Sequence, residues 1–133
     1  MATKIKVAKL SSPEEVLQAY RGAVNQNPSD ATSQSNLGWG LHYGGMLEEA
    51  AVAFRRALDL DLNSLDAHYG LGLTYKKLGR APEARAEFER AMVLADQQED
   101  LNRGKMLKRL SLGQIHEMES GDWALGGIST LSG

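Results

Sequence analysis

Between residues 31 and 64 the apolar positions Leu37, Leu41, Ala50, Phe54, Ala57 and Leu58 recur three and four residues apart, the spacing that lines one face of a helix. Gly44-Gly45 interrupts this stripe, and Gly79 interrupts the next one. Glycine tolerates the left-handed backbone that follows many helix C-termini. The pattern predicts helix, short turn, helix. Ahead of it, Ser12-Pro13-Glu14-Glu15 predicts a helix start, with Ser12 as cap, Pro13 in the first turn and Glu15 reaching back to the cap.

A shift of 34 residues superposes Tyr20, Phe54 and Phe88, then Ala23, Ala57 and Ala91, then Val16, Ala50 and Ala84. Leu37-Gly38 falls on Leu71-Gly72, and Gly45 on Gly79. A fixed period of this length predicts a stacked helical array. Small residues at 38, 50, 57, 72, 84 and 91 let backbones approach, and Phe54 and Phe88 fill the space beside them. After Asp96 the period slips: Leu112-Gly113 comes 41 residues after Leu71-Gly72. The segment 99–119 is predicted to be a lengthened helix that buries Leu101, Met106, Leu107, Leu110, Ile115 and Met118. Residues 122–133 read as a weak second helix, since Gly126-Gly127 costs about 2 kcal/mol relative to two alanines. Thr130 takes the aromatic position there, so this end is expected to fray or to be ordered by a partner.

The set Leu37-Gly38, Leu41, Gly45, Ala50, Phe54, Ala57 resembles the tetratricopeptide repeat. The set His68, Leu71-Gly72, Tyr75, Gly79, Ala84, Phe88, Ala91 resembles it more closely. Val16, Tyr20, Ala23 and Pro28 match the second helix of a preceding half repeat; the family's closing proline is present as Pro28 but is Leu62 and Asp96 later. The resemblance implies an all-α fold, a right-handed superhelical array of antiparallel helix pairs. Its expected organisation is a flexible basic N-terminus at 1–11 and one domain at 12–133. That domain comprises a half repeat (12–30), repeats at 31–64 and 65–98, and an irregular third repeat (99–133).

The chain has 133 residues, 42% hydrophobic and 24% charged, as expected of one folded domain. A formal charge of -2 provides no overall attraction to nucleic acid, so none is expected as a partner. The absence of cysteine excludes disulfides, thiolate metal sites and a cysteine nucleophile. Lys4, Lys6 and Lys9 break any apolar signal-peptide core, and no stretch has the length of a membrane span. A cytoplasmic location without membrane insertion is expected. None of His42, His68 and His116 lies in a zinc-protease pattern, and neither a nucleophile elbow nor a phosphate loop occurs. The expectation is therefore a non-enzymatic protein with no metal and no cofactor.

In the family that the chain resembles, the first helix of each repeat lines a concave groove. The matching positions include Ser35, Asn36, Trp39, His42 and Tyr43 in one repeat and Asp66, Tyr69, Gly70, Leu73, Lys76 and Lys77 in the next. The third offers Leu110, Ser111, Gln114, Glu117 and Met118. The resemblance thus implies a scaffold that binds a protein or peptide partner through Asn36, Trp39, His42, Tyr43, Tyr69, Leu73, Lys76 and Lys77, with Gly70 favouring an open site. In the alternative arrangement, Trp39 and the tyrosines pack against the first or last helix and close the groove. The lysine, asparagine and arginine set with which some family members hold a chaperone tail is absent: those positions read Ser35, Trp39, Gly70, then Leu107 and Ser111 in the slipped frame or Asp100 and Gly104 in the unslipped one. A second reading is a self-assembling module, a homo-oligomer joined through its incomplete terminal repeats and its C-terminal end, where Trp123, Leu125, Ile128 and Leu131 cluster.

Overall fold

The computed structural model describes residues 12–120, and the expected basic N-terminus (1–11) and final helix (122–133) lie outside the described residues. Within them the chain forms six helices and no strand: α1 (Pro13–Gln26), α2 (Ala31–Tyr43), α3 (Leu47–Leu60), α4 (Leu65–Lys77), α5 (Ala81–Ala95) and α6 (Leu101–Ser120). The period is visible in the bounds themselves. Shifting α1 by 34 residues gives α3, and the same shift turns α2 into α4.

Local chemistry sets these boundaries. Glu15 N–H donates to Ser12 Oγ at 3.2 Å while Ser12 N–H donates to Glu15 Oε1 at 2.8 Å, the reciprocal cap that the sequence predicts. Asp30 and Ser64 cap α2 and α4 through the backbone of Ser33 and Ala67. At the two tight turns Gly45 and Gly79 take φ of 81° and 78°. The residue after each glycine closes the helix end, Met46 N–H donating to Leu41 O and Arg80 N–H to Tyr75 O, both at 2.9 Å. Turns this short make α2–α3 and α4–α5 antiparallel pairs.

Packing follows the small-and-large columns. Phe54 and Phe88 are fully buried, as are Ala50, Ala57, Ala84 and Ala91. A Cβ added to Gly38 would lie 2.8 Å from the Phe54 ring, and one on Gly72 would lie 2.6 Å from Phe88. Only glycine fits there. Phe54 also lies over Gly70 of the next pair, so a single ring joins two repeats. Apolar burial of this kind, at roughly 25 cal/mol per Å², is shared between neighbouring pairs.

The last helix corrects one expectation. Its buried residues are Gly104, Leu107, Ser111 and Ile115, whereas Leu101, Met106 and Leu110 are exposed and Met118 is half-buried. The reason is close approach: a Cβ on Gly104 would sit 2.5 Å from the Ala95 carbonyl oxygen, so α6 meets α5 through its small residues. The extra seven residues amount to about two helical turns, which keeps Ser111 and Ile115 on the face that Gly70 and Thr74 occupy in α4.

Candidate functional site

The first helices of the repeats, α2, α4 and α6, supply most of a groove of about 820 Å³ lined by His42, Tyr43, Leu73, Lys76, Lys77, Gly79, Gln114 and Glu117. Tyr43 is 76% exposed and stacks on Trp39, ring centroids 5.8 Å apart. Leu73 forms a half-buried wall, and Lys77 is exposed.

Lys76 is drawn to the far wall. Its Nζ donates to Gln114 Oε1 at 2.6 Å and to Glu117 Oε1 at 2.5 Å, and its side chain is 13% exposed. Glu117 neutralises that ammonium, so the exposed positive charge of the groove sits at Lys77. His42 forms part of the floor but is only 3% exposed. Thr74 Oγ1 donates its proton to Gly70 O at 2.9 Å, so it accepts from His42 Nδ1–H, also at 2.9 Å. Neutral His42 therefore carries its proton on Nδ1. Burial, reinforced by the Lys77 charge, lowers the pKa of His42 below the ordinary histidine value. Tyr69 is half-buried with its ring tilted against Phe88, and burial raises its pKa although a hydrogen bond with Gln114 opposes the shift.

The remaining expected residues lie elsewhere. Asn36 is exposed and outside this lining. Trp39 is half-buried: its ring meets Phe54 edge-on at 5.2 Å, and its Nε1–H donates to Asp66 Oδ2 at 2.9 Å. Gly70 is not an open, closely approached site, because a Cβ there would lie 2.5 Å from Phe54 and 3.0 Å from Trp39, which already fill the space. Ser35 and Ser111 are likewise buried.

A second, smaller groove of about 550 Å³ lies between α1 and α2, with Val16, Leu17 and Tyr20 on one side and Trp39, Gly40 and Tyr43 on the other. Tyr43 lines both grooves. Among the described residues no cluster of three or more histidines and carboxylates could hold a metal, and no helix is long and apolar enough to cross a membrane.

A family model described as TPR repeat matches residues 41–79, and one described as tetratricopeptide repeat matches residues 65–97. Residues 41–97 thus carry tetratricopeptide repeats. Repeats of this family generally serve as protein-interaction modules rather than as enzymes. The chain is 30% identical over 78 residues to the protein O-mannosyl-transferase Tmtc3 of Drosophila melanogaster. That match takes in 59% of this chain and only 8% of the length of that relative. Among solved structures, the Arabidopsis OM64 TPR domain superposes with a TM-score of 0.67 at 20% identity, covering 80% of this chain and 82% of that one. MamA superposes with a TM-score of 0.60 at 19% identity, covering 87% and 72%. At these identities the two structures share the fold.

Proposed function

We propose that this tetratricopeptide protein captures a peptide segment of a partner protein in the larger groove, and that the segment carries an apolar side chain followed closely by an acid. The observation behind this reading is the convergence of Tyr43, Leu73 and Lys77 on one concave surface. An exposed aromatic ring beside an aliphatic wall is the usual composition of a binding anchor. Lys77 supplies the charge, since Glu117 already neutralises Lys76.

Tyr43 and Lys77 are both exposed, so substitution should change stability by only about 0.5 kcal/mol at Lys77 and by about 1 kcal/mol at Tyr43, whose ring contacts Trp39. Binding and folding can therefore be separated. Peptides selected on the full chain from a random library are expected to share an apolar-acidic motif. Both Tyr43→Ala and Lys77→Glu should weaken those peptides at least tenfold in fluorescence anisotropy while the chain stays fully folded at the assay temperature. Selected peptides that ignore both substitutions would defeat the proposal.

A further inference from the structure

Among the described residues the array opens on a second helix and closes on a first one, and the two ends are complementary. Val16, Leu17 and Tyr20 of α1 stand 34 residues before Ala50, Ala51 and Phe54 of α3. The α3 residues are 0–1% exposed, whereas their α1 counterparts are only half-buried. In the next pair α2 packs over this face of α3. Beside α1 the corresponding space is the 550 Å³ groove.

At the other end α6 repeats α2 and α4 from Met106 onward, and the glycine column shows what it lacks. Gly38 has Phe54 over it and Gly72 has Phe88, but among the described residues a Cβ on Gly113 would meet nothing within 4 Å. Tyr20 belongs to the same aromatic column and has no column glycine before it among the described residues.

We propose that α6 of one copy seats in the groove beside α1 of the next, so that the two half-pairs complete a helix pair and copies join head to tail. Tyr20 then covers Gly113 as Phe54 covers Gly38. The chain's own remaining residues match these seats less well. In the 34-residue period Lys4 falls on the glycine column, where Gly38 and Gly72 leave less than 3 Å. Neither Ser129 nor Thr130, which bracket the aromatic column, has a ring. A contact between two different surfaces does not close on itself, so the stack can grow. Substitution at Gly113 leaves the peptide site itself untouched, because Gly113 is not part of the larger groove's lining.

Light scattering on the full chain over a wide concentration range tests this. The mass should climb above the 14.5 kDa of one chain. Gly113→Leu should hold the mass at one chain until at least tenfold higher concentration, with equal or higher helicity and melting temperature. The junction can also be trapped. His68 and Glu87 hydrogen-bond across the second pair at 2.7 Å, and their equivalents at the junction are Arg109 of one copy and Ala19 of the next. The chain has no cysteine of its own, so a short bismaleimide should link Ala19→Cys chains to Arg109→Cys chains when mixed, and link neither variant to itself. Three outcomes overturn the proposal: a single-chain mass throughout, growth indifferent to Gly113→Leu, or a monomer that Gly113→Leu destabilises because residues of the same chain cover that face.

Discussion

Two glycines on first helices, Gly70 and Gly113, should respond in opposite directions to the same substitution. Replacing either by alanine gains about 1 kcal/mol of helix propensity. At Gly113 that gain is uncontested, because among the described residues the new methyl meets nothing within 4 Å. At Gly70 the methyl would lie 2.5 Å from Phe54 Cζ and 3.0 Å from Trp39 Cζ2. Phe54 has little room to retreat, since it is 0% exposed and Gly38 also lies against its ring. Overpacking of this kind costs about 1–3 kcal/mol, and a ring already in contact with two helix backbones belongs in the upper half of that range. The net expectation is that Gly70→Ala loses about 1–2 kcal/mol and Gly113→Ala gains about 1. For a chain of this length 1 kcal/mol shifts the melting temperature by roughly 4 °C, so the two variants should melt about 8–12 °C apart. Thermal unfolding followed by circular dichroism, at a dilution where the chain is monomeric, reads this directly. A Gly70→Ala variant that melts at or above the parent would refute the packing argument.

Two further outcomes follow from the site. Folding holds His42 neutral and lowers its pKa by burial, so as the pH falls the unfolded chain takes up this proton first. The stability contributed by neutral His42 is complete above about pH 6.5 and is lost as the pH drops towards its lower folded value. The fall in melting temperature between pH 7.5 and 5.5 should therefore shrink in His42→Gln, and an equal fall in both proteins would exclude this role. Trp39→Ala removes a ring packed on Phe54 together with the partner of Asp66, and should destabilise by about 3 kcal/mol in urea titration; a loss below 0.5 kcal/mol would show that Trp39 is only a surface contact.

The period made the helices legible because each column answers to a local constraint. The same 34-residue spacing that aligns Tyr20, Phe54 and Phe88 reproduces the bounds of α1 and α3, and the glycines before Met46 and Arg80 take the conformation that their position requires. The groove was harder to read. A repeat pattern assigns each residue to a face of its own helix, but it does not carry the length of side chains arriving from the next pair. Phe54 reaches over Gly70, and Trp39 finds Asp66 across 27 residues. His42 sinks because Thr74, in the following repeat, has a hydroxyl oxygen placed to accept its proton. Lys76 is neutralised by Glu117, 41 residues on and beyond the break in the period. In α6 the larger side chains gave a misleading stripe, because helices that pack through Gly104 and Ser111 bury the small residues and leave Met106 and Leu110 outside.

Tyr43 connects the two surfaces of this protein. It is stacked on Trp39 at the boundary between the grooves, and its ring contributes to both linings. A helix seated beside α1 packs on the Trp39–Tyr43 pair and restricts the rotamers of Tyr43, whose freedom a bound peptide must also reduce. Any such effect is reciprocal: if stacking of copies alters peptide affinity by some factor, peptide binding alters the stacking equilibrium by the same factor. Its sign depends on the rotamer each occupant selects. If both hold the ring in its stacked position, the first to bind pays part of the ordering cost for the second and the two strengthen each other. If the peptide draws the ring off Trp39, it opens the seat that the neighbouring copy needs closed. If copies stack and bind peptide as proposed, the state of this single side chain determines whether stacking strengthens or weakens peptide binding.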